Sequence, residues 1–279
     1  MALPRNLISD STLVTETFEL ARSNGGRASF AVITDTVFNL SNIDANLSAS
    51  LVADLVQNDP RFVIEADHLS VIDQTCDAQM LTETEFVVLD VEAVHDRNVP
   101  ARIIELGAYR VRAGQLHDEF QTLINPEISL PRFLSGLTGI TDEMLVGAPK
   151  FSEIANDWLT FVGDAVLVAH NANFDLPLLN REIGRVFPGW RLRNADLCTL
   201  DLARRLVPQL ESHKLDSLAT YFGFDIPRRH RAADDALATA RVFLRLLSEL
   251  ADNSILTLAD ARQFQARLAP GALQLAFDA

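Results

Sequence analysis

The stretch Phe86-Val-Val-Leu-Asp-Val-Glu92 decides how the rest of the chain is interpreted. Its apolar run is too short for a helix, which favours a buried β-strand. Asp90 and Glu92 stand where this run ends, and side chains two residues apart on a strand point to the same face. Carboxylates that have lost their water are costly without a cation, so the pair is a candidate metal site. A lone Asp-x-Glu is common, however, and needs support from elsewhere in the chain.

The segments on the C-terminal side of this stretch have the pattern of an α/β domain. They comprise two strands at 102–111 and 116–124 around Ala113-Gly114, a buried strand at 165–169 and a helix from near 232 to 250. We therefore assign residues 85–250 to one α/β domain. Residues 251–279 form a tail with a possible helix around 258–268.

Two further polar motifs lie at junctions between these elements. His170-Asn-Ala-Asn-Phe-Asp175 begins where strand 165–169 turns into a helix, and His230-Arg-Ala-Ala-Asp-Asp235 enters the last helix. Each has an ordinary explanation, because asparagines form turns and acids stabilise the positive end of a helix dipole. Acids at a strand end, a strand-to-helix junction and a helix start can nevertheless meet at one edge of an α/β sheet. That conjunction favours a functional site.

In this order the motifs resemble the three exonuclease motifs of the DEDDh 3′–5′ exonucleases, the DnaQ-like relatives of the proofreading subunit of bacterial DNA polymerase III. The segment Leu137-Thr-Gly-Ile-Thr141, between the first two motifs, also matches the family. The resemblance covers about residues 85–248. It implies a ribonuclease H-like fold, with a mixed five-stranded sheet flanked by helices. It also implies a nuclease that releases mononucleotides from the 3′ ends of single-stranded DNA or RNA. We favour DNA over RNA, although the sequence does not separate the two, because recognition of the 2′-hydroxyl depends on local geometry.

By position, the resemblance implies a role for individual residues. Two divalent cations, Mg²⁺ or Mn²⁺, would be held by Asp90, Glu92, Asp175 and Asp235. His230 would be the general base that accepts a proton from the attacking water. The candidate substrate contacts are Thr138, Asn171 and Arg231.

One departure from the family pattern follows the first motif. The family usually continues Thr-Thr-Gly after the glutamate, whereas this chain has Ala93-Val94-His95. The carboxylates remain, so we expect metal ligation to survive. The lost hydroxyl and glycine predict a change in how the 3′-terminal nucleotide is seated.

Residues 1–72 have a different pattern, typical of a small winged-helix-like domain. Short helices are expected after Ser11, Ser29 and Ser48, followed by two short strands within 61–72. The polar, aperiodic segment 73–84 is interpreted as the linker to the α/β domain.

The net charge of this first domain argues against sequence-specific binding of duplex DNA. The chain carries 38 acidic and 24 basic residues, a net charge of −14, and an acidic chain is not a generic binder of phosphate backbones. Residues 1–82 carry eleven acids against four arginines, a net charge of −7. The third predicted helix, from Ser48 to Gln57, contains no lysine or arginine. A protein partner that binds through residues 1–72, or an intramolecular role, is favoured over DNA binding, and a purely structural cap is the ordinary alternative.

Two other function classes compete with the nuclease: a non-catalytic exonuclease-like adaptor that binds a protein or nucleic acid, and a winged-helix transcription regulator. The complete set of acids with His230 favours the enzyme, and the acidic third helix disfavours the regulator. Two cysteines exclude a disulfide framework and a cysteine-rich zinc site. The absence of about 18 consecutive apolar residues predicts a cytoplasmic protein with no membrane partner. Whether it serves a polymerase or a repair assembly stays open.

Overall fold

The computed structural model describes residues 3–72, 78–96 and 99–266. The chain divides into two compact units. The first, here called the N-terminal unit, comprises Met1–Thr75 together with Ile183–Arg193. The second, the sheet unit, comprises Cys76–Glu182 and Asn194–Ala279. Nothing in the sequence pattern indicates that segment 183–193 joins the N-terminal unit.

The elements follow one another along the chain with short connections. The strands are β1 (Leu7–Ser9), β2 (Arg27–Ser29), β3 (Phe62–Ile64), β4 (His68–Val71), β5 (Phe86–Asp96), β6 (Val99–Arg112), β7 (Gln115–Leu123), β8 (Val166–Ala169), β9 (Trp190–Leu192) and β10 (Asp196–Cys198). The helices are α1 (Thr12–Ser23), α2 (Phe30–Thr36), α3 (Ala45–Leu55), α4 (Arg132–Thr138), α5 (Asp142–Val146), α6 (Phe151–Val162), α7 (Ala172–Val186), α8 (Thr199–Leu206), α9 (Leu215–Phe222), α10 (Ala232–Asp252) and α11 (Leu258–Ala266).

In the N-terminal unit, α1, α2 and α3 accompany an antiparallel sheet with the strand order β2-β4-β3. Strand β1 pairs separately with β9, with Leu7 opposite Leu192. The predicted helix starts at Ser11 and Ser29 are confirmed, because these residues are the N-caps of α1 and α2. The third start is wrong: α3 is capped by Asp44, whose carboxylate accepts hydrogen bonds from the two following backbone amides.

The sheet unit contains a mixed five-stranded sheet with the strand order β10-β8-β5-β6-β7. Strands β10, β8 and β5 run parallel, whereas β5, β6 and β7 pair antiparallel. Helix α10 packs on this sheet, and the rings of Phe86 and Phe243 meet edge to face with centroids 4.9 Å apart. The expected α/β class with a mixed five-stranded sheet is confirmed.

The first strand is longer than the apolar run that predicts it. Strand β5 continues past Asp90 to Asp96, because β6 supplies backbone partners beyond the end of the run. Asp90 lies opposite Gly107 on β6. A Cβ atom at Gly107 would lie 2.5 Å from the backbone of Ala232, the first residue of α10. The bare backbone at Gly107 therefore lets the start of α10 approach the acidic part of β5.

Part of the segment predicted as a linker belongs to the sheet unit. Met80 forms a β-bridge with Thr257, and Leu81 is buried, so residues 78–84 pack within the sheet unit. Residues 73–77 of the predicted linker lie outside the described residues, as do residues 267–279 of the tail. Helix α11 occupies most of the helical span expected there. Among the residues that the structure describes, no helix is both long and apolar enough to span a bilayer.

Candidate active site

Three segments of the sheet unit bring the predicted acids to one cavity of about 680 Å³. Asp90 and Glu92 come from β5, Asp175 from the first turn of α7, and Asp235 from the first turn of α10. All four line the cavity.

The position of Asp175 depends on the tight turn between β8 and α7. Asn171 adopts a left-handed backbone conformation there (φ 73°), which asparagine tolerates better than most residues. Its carbonyl accepts a hydrogen bond from the amide of Phe174 at 2.8 Å. Asp175 is thereby carried to β5, where one of its carboxylate oxygens accepts a hydrogen bond from the amide of Val91 at 3.2 Å.

His230 lies two residues before the first residue of α10, in a strained backbone conformation. Its φ of 62° is uncommon for a residue with a side chain, and such outliers concentrate at functional sites. Its backbone amide donates a 3.0 Å hydrogen bond to Oδ2 of Asp235. Glu92, His230 and Asp235 each place a potential ligand atom within 4.8 Å of the others.

The acids perturb one another strongly. Burial, and then the neighbouring Asp175 and Asp235 carboxylates, raise the pKa of Asp90 well above its usual value. Burial raises the pKa of Glu92 to about 7, with Asp235 adding to the effect. Burial also raises the pKa of Asp175 to about 7, although the hydrogen bond from Val91 opposes it. The protein alone therefore leaves these negative charges poorly compensated.

The two carboxylate oxygens of Asp235 are satisfied unequally. Its residue is only 4% exposed, and Oδ2 is occupied by the His230 amide and by the guanidinium of Arg229. The other oxygen, Oδ1, is buried and has no hydrogen-bond partner among the described residues. A buried oxygen without a partner is costly, and carboxylate oxygens are the ligands that Mg²⁺ and Mn²⁺ favour. The donor set therefore fits a divalent cation.

The arginines around His230 are paired with acids. Arg228 contacts Asp234 at 2.7 Å, whereas Arg229 bridges Asp216 and Asp235. Asp234 is thus held by Arg228, while its neighbour Asp235 lines the cavity.

Sequence reasoning missed Glu105, the residue that fixes the start of α10. Glu105 is fully buried on β6, accepts a 2.9 Å hydrogen bond from the Ala232 amide, and binds the guanidinium of Arg231 through contacts of 2.8 to 3.2 Å. The side chain of Arg231, predicted to contact substrate, is thus bonded inside the protein. An acid within the apolar run Ile103-Ile-Glu-Leu was the available sequence signal.

The other two predicted substrate contacts lie in different surroundings. Asn171 lines the cavity. Thr138 is buried at the end of α4, where its hydroxyl donates to the carbonyl of Leu134 at 2.9 Å and accepts from the amide of Ile140 at 3.1 Å. Its polar group is therefore also bonded within the protein.

Helix α8 and the segment between α8 and α9 supply a further wall of the cavity that the motifs do not reveal. Helix α8 adds Arg204, and the segment adds His213 and Lys214. His170 lines the same cavity, and its Nδ1 lies 3.0 Å from the hydroxyl of Thr199. Burial, with the nearby Arg229 charge, lowers the pKa of His170 to about 4, which keeps it neutral and suited to orienting the turn before α7.

Comparison with known proteins places this arrangement among the nucleases. Residues 87–243 match the exonuclease family model RNase_T. The DNA polymerase III subunit epsilon of Aquifex aeolicus is 39% identical over 170 residues, which cover 61% of this chain and 84% of that protein. The PolC-type DNA polymerase III of Caldanaerobacter subterraneus is 37% identical over 186 residues, and the match covers 67% of this chain but 13% of that much longer protein.

A solved structure shares the fold. The nuclease domain of 3′hExo, a DEDDh family member bound to rAMP, superposes with a TM-score of 0.53 at 21% identity, covering 63% of this chain and 96% of the domain. The motif order, the converging acids and the family match agree. The chain belongs to the exonuclease family, as one of the DnaQ-like DEDDh 3′–5′ exonucleases.

Proposed function

We propose that the protein is a metal-dependent 3′–5′ exonuclease that releases mononucleotides from single-stranded ends, with DNA preferred over RNA. One observation carries this proposal: four carboxylates line one cavity, and a buried oxygen of Asp235 has no hydrogen-bond partner among the described residues. A nuclease that hydrolyses phosphodiesters with divalent cations needs such a set of oxygen ligands.

Asp90, Glu92, Asp175 and Asp235 would hold two Mg²⁺ or Mn²⁺ ions. When bound, such ions polarise the phosphodiester and stabilise the attacking and leaving oxygens. The four carboxylates would hold the ions; burial, and then the charges of the neighbouring carboxylates, raise the pKa values of Asp90 and Glu92. The cations also reconcile a net charge of −14 with binding an anionic polymer.

His230 is the general base in this proposal. A ring nitrogen of its imidazole lies within 4.8 Å of a carboxylate oxygen of Glu92 and of one of Asp235. The backbone amide of His230 also donates a hydrogen bond to Asp235, which fixes this residue near the start of α10. The imidazole would accept the proton of the attacking water.

The candidate substrate residues are proposed to act either by direct contact or by supporting the walls of the site. Asn171 lines the cavity and would contact the terminal nucleotide directly. Thr138 and Arg231 have their polar side-chain groups bonded inside the protein, so we propose that they support the walls of the site. Lys214 and Arg204 are added as contacts for the phosphate that precedes the scissile one, because they are cations on the cavity wall.

For the N-terminal unit we propose a winged-helix-like domain that binds a protein partner. The order helix, strand, helix, helix, strand, strand and the sheet order β2-β4-β3 support this interpretation. Helix α3 contains no lysine or arginine, which disfavours insertion into a duplex groove. We propose a cytoplasmic location in keeping with this role.

The decisive experiment uses single-stranded DNA and RNA of one sequence, each labelled at either end, with Mg²⁺, with Mn²⁺ or with EDTA. We expect the 5′-labelled strand to shorten stepwise and the 3′ label to leave at once as a mononucleotide, only when metal is present. Asp235→Asn serves as the inactive control.

Three results would contradict the proposal. Shortening from the 5′ end would refute the polarity, and cleavage of circular single strands would refute exonucleolytic action. Tight oligonucleotide binding in Mg²⁺ without any cleavage would favour the non-catalytic adaptor.

A further inference from the structure

Arg229 is a cation in direct contact with one of the proposed metal ligands. Its side chain lines the cavity, and its Nη1 forms an ion pair with Oδ2 of Asp235. Its Nε forms a second ion pair, with Oδ1 of Asp216 on α9. The guanidinium charge also opposes the rise in the pKa values of Asp90 and Glu92. The charge of Arg229 therefore acts on three of the four acids that line the cavity.

The ordinary explanation of these contacts is a salt bridge that joins α9 to the start of α10. The two partners of the guanidinium differ too much for that explanation to suffice. The side chain of Asp216 is 60% exposed, and ion pairs of exposed groups contribute little to stability. The side chain of Asp235 is only 5% exposed, so its negative charge is poorly solvated and needs a partner. In the metal-free protein, Arg229 supplies that partner.

A metal ion bound at the acids would compete with Arg229. Oδ2 of Asp235 is already occupied by Arg229 and by the His230 amide, which leaves Oδ1 for a metal ion. A divalent cation at Oδ1 would bring two positive charges close to the guanidinium, and like charges repel strongly where water is largely excluded. A phosphate removes this conflict, because guanidinium groups bind phosphate oxygens through paired, charge-assisted hydrogen bonds.

We propose that Arg229 is a built-in counter-charge for Asp235, and that its guanidinium turns to a phosphate of the substrate when cations occupy the acids. Arg229 then weakens cation binding by the protein alone and strengthens it when a phosphate is present. Because the two binding events are linked, the same residue makes phosphate binding depend on the cations. The inference rests on the proposed exonuclease function and adds Arg229 as the residue that couples metal binding to the arrival of a nucleotide.

The test titrates Mn²⁺ into the protein and follows free Mn²⁺ by its electron paramagnetic resonance signal. A pH of about 8 is used, because protons then compete less for the carboxylates. Arg229→Gln removes the charge but keeps a polar side chain, and it should bind Mn²⁺ about tenfold more tightly than the wild type.

The neighbouring arginine provides the matched control. Arg228 is exposed, and its partner Asp234 is not among the residues that line the cavity. Arg228→Gln removes the same charge from the same segment, and solvent screens that charge from the acids. The Mn²⁺ affinity of Arg228→Gln should therefore stay almost equal to that of the wild type.

A second titration adds a phosphate without a reaction. The probe is dAMP, and deoxyadenosine is its control without phosphate. In the wild type, saturating dAMP should raise the Mn²⁺ affinity about tenfold more than in Arg229→Gln, after correction for Mn²⁺ bound by free dAMP. Deoxyadenosine should have little effect in either protein. Arg229→Lys retains the charge but not the paired donors, so it should keep the wild-type affinity for Mn²⁺ alone and lose part of the dAMP effect.

The results separate this inference from the proposed function. An Arg229→Gln protein that binds Mn²⁺ no more tightly than the wild type overturns the counter-charge, even if its melting temperature in EDTA falls, because Arg229 would then only join α9 to α10. An equal dAMP effect in the wild type and in Arg229→Gln overturns the pairing with phosphate. A wild-type protein that shortens no strand but gives the expected Mn²⁺ and dAMP titrations overturns the exonuclease function and supports the counter-charge.

Discussion

Asp59 of the N-terminal unit and Asp235 of the sheet unit are equally buried, each 4% exposed, yet they are satisfied very differently. Both oxygens of Asp59 accept hydrogen bonds, from the Ser9 amide at 2.9 Å and from Arg61 at 2.8 to 3.0 Å. Asp235 has one oxygen without a hydrogen-bond partner among the described residues. Burial alone therefore does not mark a functional acid; the unused bonding capacity of the carboxylate does.

Exchanging each aspartate for asparagine gives the sharpest test of this comparison. Asp235→Asn should lower turnover more than about 10³-fold and leave the metal-free protein at least as stable, because it removes one of several crowded charges. Asp59→Asn should cost about 3 kcal/mol of unfolding free energy, since Arg61 would lose its buried partner, while turnover at low temperature stays normal. Initial rates and thermal denaturation measure both effects.

The comparison requires that Asp235→Asn lose turnover but not stability, and that Asp59→Asn lose stability but not turnover. An active Asp235→Asn protein would show that the site does not depend on this carboxylate. A folded but inactive Asp59→Asn protein would show that the N-terminal unit contributes to chemistry.

Replacing His230 should have the next largest effect. Loss of a general base lowers turnover by about 10²–10⁴-fold, so we expect His230→Ala to fall in that range with oligonucleotide affinity retained. His230→Asn is the matched variant, because asparagine tolerates the positive φ of 62° but cannot act as the base. Rates at saturating metal check the prediction. If asparagine restores turnover, His230 only shapes the entrance to α10.

The raised pKa values predict a pH-dependent stability for protein held in EDTA. Glu92 and Asp175 have pKa values of about 7, above their usual values of 4.5 and 3.8. Between those values and 7, the folded state binds more protons than the unfolded state, so stability falls as pH rises. We expect the melting temperature in EDTA to decrease from pH 5 to pH 7.5, more steeply than in Glu92→Gln.

Added Mg²⁺ should counteract this trend, because cation binding requires deprotonated carboxylates and strengthens as pH rises. A melting temperature that is flat across this interval in EDTA, with the protein folded throughout, would contradict the assigned pKa shifts.

The smallest expected effect concerns the N-terminal unit. The Asp235→Asn protein should show no salt-sensitive binding to duplex DNA closed by hairpins at both ends, because α3 carries no cation. Asp54→Lys places a cation on an exposed position of α3 and should create at most weak, salt-sensitive binding. Fluorescence anisotropy at low and high salt measures both. Micromolar binding by the parent protein, falling steeply with salt, would refute the charge argument.

The sheet unit was largely predictable because its signals are local. Apolar runs, turns and motif order identify β5, β8, α7 and α10, and sheet geometry then brings their ends together. The start of α3 was not predictable in the same way, since Asp44 and Ser48 are both good caps. The structure decides between them by burying Ser48, whose hydroxyl bonds to that of Thr34.

The tertiary partners of the site were the part that sequence could not supply. Arg231 appeared to be a free cation beside His230, yet its partner Glu105 lies 126 positions away in the chain. The pairing of β1 with β9 likewise joins residues that are far apart in sequence. Such contacts depend on chain topology, which composition and periodicity do not encode.

Gly107 carries a consequence for how such proteins are identified and engineered. It contributes no ligand, yet any side chain there would collide with the first residue of α10 and push Asp235 away from β5. A homologue that kept every motif but had alanine at this position would pass a motif search and still lack an assembled site. To transfer this site to another protein, one must therefore transfer the strand that carries Gly107 together with the start of α10, because the four acids alone do not assemble without this close approach.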